Sequence, residues 1–218
     1  MSDITLESAL NSFFEYRMRS VMTAIPAVIV GVDNLEEQRV DVTPVINAVF
    51  PDNSAEVGYP AIFSVPLIFP ASSTSAFTFP INQGDTVLLV FSQKAMDVFK
   101  GGDGLPAAPN DYRVFDKRDA IAIPGLWPFQ NAINRQDKRT LPHSTSDAVL
   151  THNIGTASEC EIRLKSGGSI EINGNQLNID SSLNTSGAVT VGTGATGSFT
   201  TPLGQVVTVA DGIITNIF

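Results

Sequence analysis

Three features of the sequence predict a mainly β chain: short apolar runs broken at close intervals, 17 glycines and 13 prolines among 218 residues, and only one stretch with a helical repeat. Glycine and proline at that density interrupt long helices, while 43% hydrophobic against 16% charged residues supplies a core that a disordered chain lacks. The length suits one large domain or two small ones. The 13 Lys and Arg against 22 Asp and Glu leave a formal charge of −9, which repels phosphate backbones and anionic lipid, so no nucleic-acid partner is expected. The single cysteine, Cys160, cannot close an intrachain disulfide and reads as a small buried apolar side chain. No apolar run reaches the roughly 18–20 residues that span a bilayer, and Asp3 and Glu7 stand where an export signal needs basic residues.

In the N-terminal segment 1–25, Leu6, Leu10, Phe14 and Met18 recur every four residues with Phe13 and Val21 beside them, which predicts a helix over 3–22. Asp3 suits the N-cap, and Pro26 disfavours helix at its predecessor, so the helix stops before it. Its apolar face either packs on its own domain or docks on a partner or a neighbouring copy.

From 26 to about 124 the pattern changes to strand-length runs at 26–33, 38–46, 58–69, 85–93 and 120–123, with a short helix possible at Lys94–Phe99. Val40, Val42 and then Val45 nearly alternate with polar neighbours, as on a strand with one wet face. DNLEEQ and NQGD supply turn chemistry before the second and fourth runs. The fourth run, VLLVF, is apolar on both faces and should lie centrally in a closed or covered sheet. Pro60, Pro66 and Pro70 demand an edge or a bulge for the third, because proline cannot donate to a ladder. Five strands over about a hundred residues suit a Greek-key barrel of the OB type, here 26–128.

The ordered strings VPLIFP at 65–70, FTFPINQGDTVLLVFSQKAMDVF at 77–99 and DYRVFDKRDAIAIPGLWP at 111–128 resemble the N-terminal OB domain of central spike proteins from contractile-tailed bacteriophages, the membrane-puncturing needles of the baseplate. The resemblance covers roughly 25–128. Its motif residues read as structural: Gly84 permits the turn before a core strand, and Pro124 with Gly125 ends the last one.

Residues 129–158 are polar and read as a connection. From Thr151 onward, 33 of 68 residues are Gly, Ser, Thr or Asn and only Phe199 and Phe218 are aromatic, too little to fill a compact core alone. Yet apolar dyads return at every second position: Ile162/Leu164, Ile170/Ile172, Leu177/Ile179, Val189/Val191 and Val207/Val209. Each dyad puts two side chains on one face of a short strand, with Gly167, Gly168, Gly174 and Gly187 as corners, so 159–218 resembles a repeat with one strand per turn. One such chain offers too little inward surface to enclose a core. Three chains about a common axis could each contribute a wall, with their edges paired to neighbours, and each buried dyad would contribute on the order of 3–6 kcal/mol before ordering costs. A homotrimer is therefore expected with the dyads at its core.

The family resemblance implies the same, an intertwined trimeric β-helix or prism that works as a needle. It implies a virion component, assembled in the host cytoplasm, that docks on tail hub and baseplate proteins. Leu6, Leu10, Phe14 and Met18 are the candidate hub or collar contacts. Sheath contraction would drive the needle through the host outer membrane, a passing mechanical contact. Many such spikes carry a His-x-His pair near the C-terminus that holds an axial iron. The histidines here are His143 and His152, far upstream, so no metal is expected at the C-terminal end. The chain ends on Ile213, Ile214, Ile217 and Phe218, which either close the prism or form a platform for a separate tip protein of the PAAR kind.

Catalysis is not expected, nor a cofactor. Glu159 and Glu161 share one strand face with the reach of a glycosidase pair, but the aromatic platforms of a glycan cleft are lacking around them. No G-x-S-x-G occurs, and GGDG at 101–104 lacks the Lys-Ser/Thr ending of a phosphate loop and reads as a turn. A passive hub adaptor that never meets a membrane is the remaining alternative.

Overall fold

The computed structural model describes residues 5–19, 21–49, 56–187, 189, 192, 194–210 and 212–218. The chain divides into two compact units, Met1–Thr145 and Ser146–Phe218. Asp3, the expected N-cap, and Val191 lie outside the described residues.

In the first unit, helix α1 spans Leu6–Arg19, shorter at both ends than the expected 3–22. Thr5 caps it: the Ser8 backbone N–H donates to Thr5 Oγ1 at 3.2 Å. At the other end the chain is claimed by a sheet. Strand β1 (Ala24–Gly31) begins two residues before Pro26, with Ala24 paired to Val90. Pro26 is tolerated because its carbonyl, and hence its nitrogen, faces the end of the next strand, where the carbonyl accepts from the Val45 N–H at 3.0 Å.

After β1 come β2 (Arg39–Pro44), the two-residue pair β3 (Ala48–Val49) and β4 (Glu56–Val57), β5 (Ile62–Pro66), β6 (Thr86–Phe91), the short helix α2 (Asp97–Gly101) and β7 (Ala120–Pro124). The main sheet is antiparallel and curled, in the order β5-β2-β1-β6-β7. Its outer strands approach each other just past β5, where the Ile68 N–H donates to the Ala122 carbonyl at 3.0 Å. β2 and β6 alternate strictly between half-buried and buried positions, so Val40, Val42, Val87, Leu89 and Phe91 face the interior with Ala27, Ile29 and Val65. β6 runs between two neighbours, as its apolar run predicted. Val45 lies past the end of β2 and is exposed, so the alternation stops at Pro44.

β5 is an edge strand and bulged, the position that its prolines required. The extra residue opposite Asp41 leaves Ser64 at φ 55°, held by its N–H donating to Asp41 Oδ1 at 2.9 Å. The turn before β6 has Gly84 at φ +96°, with its N–H on the Ile29 carbonyl at 2.9 Å, and Gly125 at φ +100° ends β7.

In the second unit, β8 (Ala148–His152), β9 (Cys160–Leu164) and β10 (Ile170–Asn173) form one antiparallel sheet in the order β10-β9-β8. β8 lies inside the stretch that read as connection, because Val149 and Thr151 alternate too weakly to mark a strand without its partner β9. β11 (Gly197–Thr200), β12 (Val206–Ala210) and β13 (Ile213–Ile217) form a second sheet in that order. Leu177/Ile179 and Val189 are in no strand. Within one chain the dyads Ile162/Leu164, Ile170/Ile172 and Val207/Val209 thus sit on hairpin-connected strands rather than on one strand per turn.

Candidate functional site

Register aligns the apolar residues of the β8–β10 sheet into rows. Ala148 is opposite Leu164, which is opposite Ile170, and Leu150 is opposite Ile162, which is opposite Ile172. All lie on one face, since residues two apart share a face. That face is open: Ile170 is 68% exposed and Ile172 55%. On the opposite face the central strand is buried although it is charged, with Glu161 4% and Arg163 7% exposed, while Val149, Thr151, Glu171 and Asn173 beside it are half-buried. There Arg163 Nη2 lies 2.6 Å from Glu161 Oε1, which also accepts from Asn173 Nδ2 at 3.1 Å. This inverts the usual arrangement of a half-buried sheet, where the apolar side is the covered one.

In the second sheet Phe199, Val207 and Ile217 form a row, as do Gly197, Val209 and Ile214. Val207 is buried, while Phe199, Ile214, Ile217 and Phe218 are exposed and Ile213 is half-buried. Phe218 extends the last strand, its N–H donating to the Val206 carbonyl at 3.0 Å. Leu177, Ile179 and Val189 are exposed outside any strand.

No residue of α1 is buried, and Leu6, Leu10, Phe13, Phe14 and Met18 are all exposed. Packing of that face on its own domain, one of the two readings above, is not what the chain does. Cys160 is half-buried rather than buried, because it lies at the margin of the open face. Glu161 and Glu159 do not line a cleft: both are buried, Glu161 against Arg163, and Glu159 Oε2 accepts from the Gly155 N–H at 3.1 Å. GGDG, which read as a turn, instead starts on the last residue of α2 and continues as an irregular segment, and the hollow beside it, about 360 Å³, is lined mainly by apolar groups of Val98, Phe99, Leu105 and Pro106.

One charged cluster went unread in the sequence. Asp119, fully buried, binds Arg113 through two hydrogen bonds, Nε to Oδ2 at 2.6 Å and Nη2 to Oδ1 at 2.8 Å. It also accepts from the Met96 N–H at 2.8 Å. Asp97 and Asp111 contact the same guanidinium at 2.6 and 3.0 Å. The hydrogen bonds from Arg113 hold the Asp119 carboxyl below its ordinary range against the opposing effect of burial, and those from Arg118 bring Asp116 down to about 2. Burial lowers the Lys100 ammonium. The cluster pins the long β6–β7 loop, a structural task. The spacing D-x-R-x₅-D in 111–119 carries it, but no local rule marks that spacing.

Among the described residues no group of three or more His, Cys, Asp or Glu is placed to hold a metal, and no helix is long and apolar enough to cross a membrane. No curated protein matches the chain. Residues 25–125, which hold the curled sheet, match the family model described as the phage protein Gp138 N-terminal domain. Over somewhat less than half its length the chain is similar to a phage protein domain, which supports a phage structural protein and a component of the virion.

Proposed function

We propose that the chain is the central spike of a contractile tail baseplate, a homotrimeric needle that pierces the host outer membrane when the sheath contracts. The observation that carries this reading is the open apolar face of the β8–β10 sheet. Among the described residues nothing buries its Leu and Ile side chains, which stay 45–68% exposed, and leaving such a row in water costs about 1.5–3 kcal/mol per side chain relative to full burial. Three such faces turned to a common axis form a closed prism whose walls are the charged sides, where Glu161 pairs with Arg163. The strand order of the first unit and the approach of its outer strands suit an OB-type barrel, which would form the collar. The phage domain match over 25–125 supplies the virion context.

In this reading the exposed face of α1 meets tail hub or baseplate proteins, and the molecule works mechanically, without catalysis, cofactor or nucleic acid. A stiff interchain core resists unfolding under load through a slow unfolding rate. The exposed Ile214, Ile217 and Phe218 favour a second feature, a platform for a separate PAAR-like tip protein, which would also serve a hub adaptor. Sedimentation at micromolar concentration tests the core claim: a mass near three times 23.2 kDa is expected, and a single-copy mass with the second unit ordered overturns it. Cryo-imaging of tails separates needle from adaptor, since only a needle projects its C-terminus beyond the baseplate.

A further inference from the structure

The open face has a third row of a different character. His152 is directly opposite Cys160 across β8 and β9, and both share the face of Leu150 and Ile162 by strand parity. Directly opposite residues have Cβ atoms about 4.5–5.5 Å apart, a span that lets a thiolate sulfur and an imidazole nitrogen reach one ion. The next residue across is Gly174, in the position after Asn173, whose partner is Glu161. A Cβ there would stand 3.2 Å from the Cys160 Cβ, so a side chain at 174 would crowd the thiol. Cys160 is a free thiol, and His152 is exposed.

We infer that His152 and Cys160 are the half-site of a thiophilic divalent transition metal, zinc by ligand type, completed by the same pair from other copies of this chain. This rests on the trimer reading above. One chain supplies one sulfur and one nitrogen, and zinc takes four ligands from such donors. Among the described residues no single chain gathers three potential ligands, so the remaining donors must come from neighbours. Three copies sharing this face bring up to three thiols and three imidazoles to one end of the apolar rows. Binding releases the thiol protons to solvent and adds the metal's affinity to the cohesion of the trimer.

Cobalt(II) is the probe, added to the metal-free full-length protein, with sedimentation run on the same samples. The expected result is a trimer that takes up one cobalt per three chains with intense thiolate-to-cobalt charge-transfer absorption in the near ultraviolet. Cys160→Ser should abolish that band, and His152→Asn, at a position exposed within one chain, should weaken cobalt affinity at least tenfold. A trimer without the band, a band that survives in Cys160→Ser, undiminished affinity in His152→Asn, or one cobalt per chain overturns this inference while leaving the trimer intact. A single-copy mass with and without metal overturns both.

Discussion

The curled sheet of the first unit and the β8–β10 sheet of the second follow the same period-two rule with opposite outcomes. In the first, alternate residues of β2 and β6 turn into an interior that the curl of five strands closes, so Leu89 and Val87 are fully buried. In the second, alternate residues of β9 and β10 form equally apolar rows, but three short strands cannot curl around them, and Ile170 and Ile172 stay exposed. Alternation specifies which side chains share a face. Whether that face becomes a core depends on how much sheet is available to enclose it.

The largest effect expected from breaking this contrast is in the closed interior. Leu89→Ala should cost about 3 kcal/mol, because a fully buried leucine leaves a cavity that the curled sheet cannot collapse, and thermal denaturation should show the melting temperature of the first unit falling by roughly 10 °C. Next comes the loop clamp. Asp119→Ala leaves Arg113 with Asp97 and Asp111 only, so a loss of about 2–3 kcal/mol is expected, less than the full cost of orphaning a buried charge. Hydrogen exchange should then rise over residues 92–118 ahead of the strands.

Acid should reveal the same clamp more gently. The carboxyls of Asp111, Asp116 and Asp119 titrate below their ordinary values in the folded chain, so the unfolded chain binds protons first as pH falls. The stability they contribute is complete above about pH 4 and is lost toward about pH 2, the value for Asp116. Melting temperatures measured from pH 5 to pH 2 should decline through that window, with a shallower decline in Asp116→Asn. The smallest effect on the fold is expected on the open face: Ile172→Ser should change the stability of an isolated chain by less than about 1 kcal/mol. The same substitution should drive the sedimenting mass from three copies toward one. A large loss of single-chain stability with unchanged mass would place Ile172 in an intrachain core instead.

Much of this was legible in local chemistry. The runs at 38–46 and 85–93 contain β2 and β6, the prolines around β5 required an edge or a bulge, and Gly84 and Gly125 stand where positive φ is needed. The dyads at 162/164 and 170/172 lie on strands that face one way. Other features escaped because their cause is non-local. β8 is a strand through its pairing with β9, the helix ends early because β1 begins at Ala24, and Arg113 meets three aspartates that only loop closure gathers.

The sequence by itself determined the period of each strand, the sites of its turns, and the sidedness of its apolar residues, because these depend on neighbours within a few positions along the chain. Only the tertiary structure decided which of those sides is sealed and which is left open. Enclosure requires a sheet wide enough to curl until its outer strands approach, as β5 and β7 do and as the strands from β8 to β10 cannot alone. The bare leucines and isoleucines of that second sheet follow from this limit.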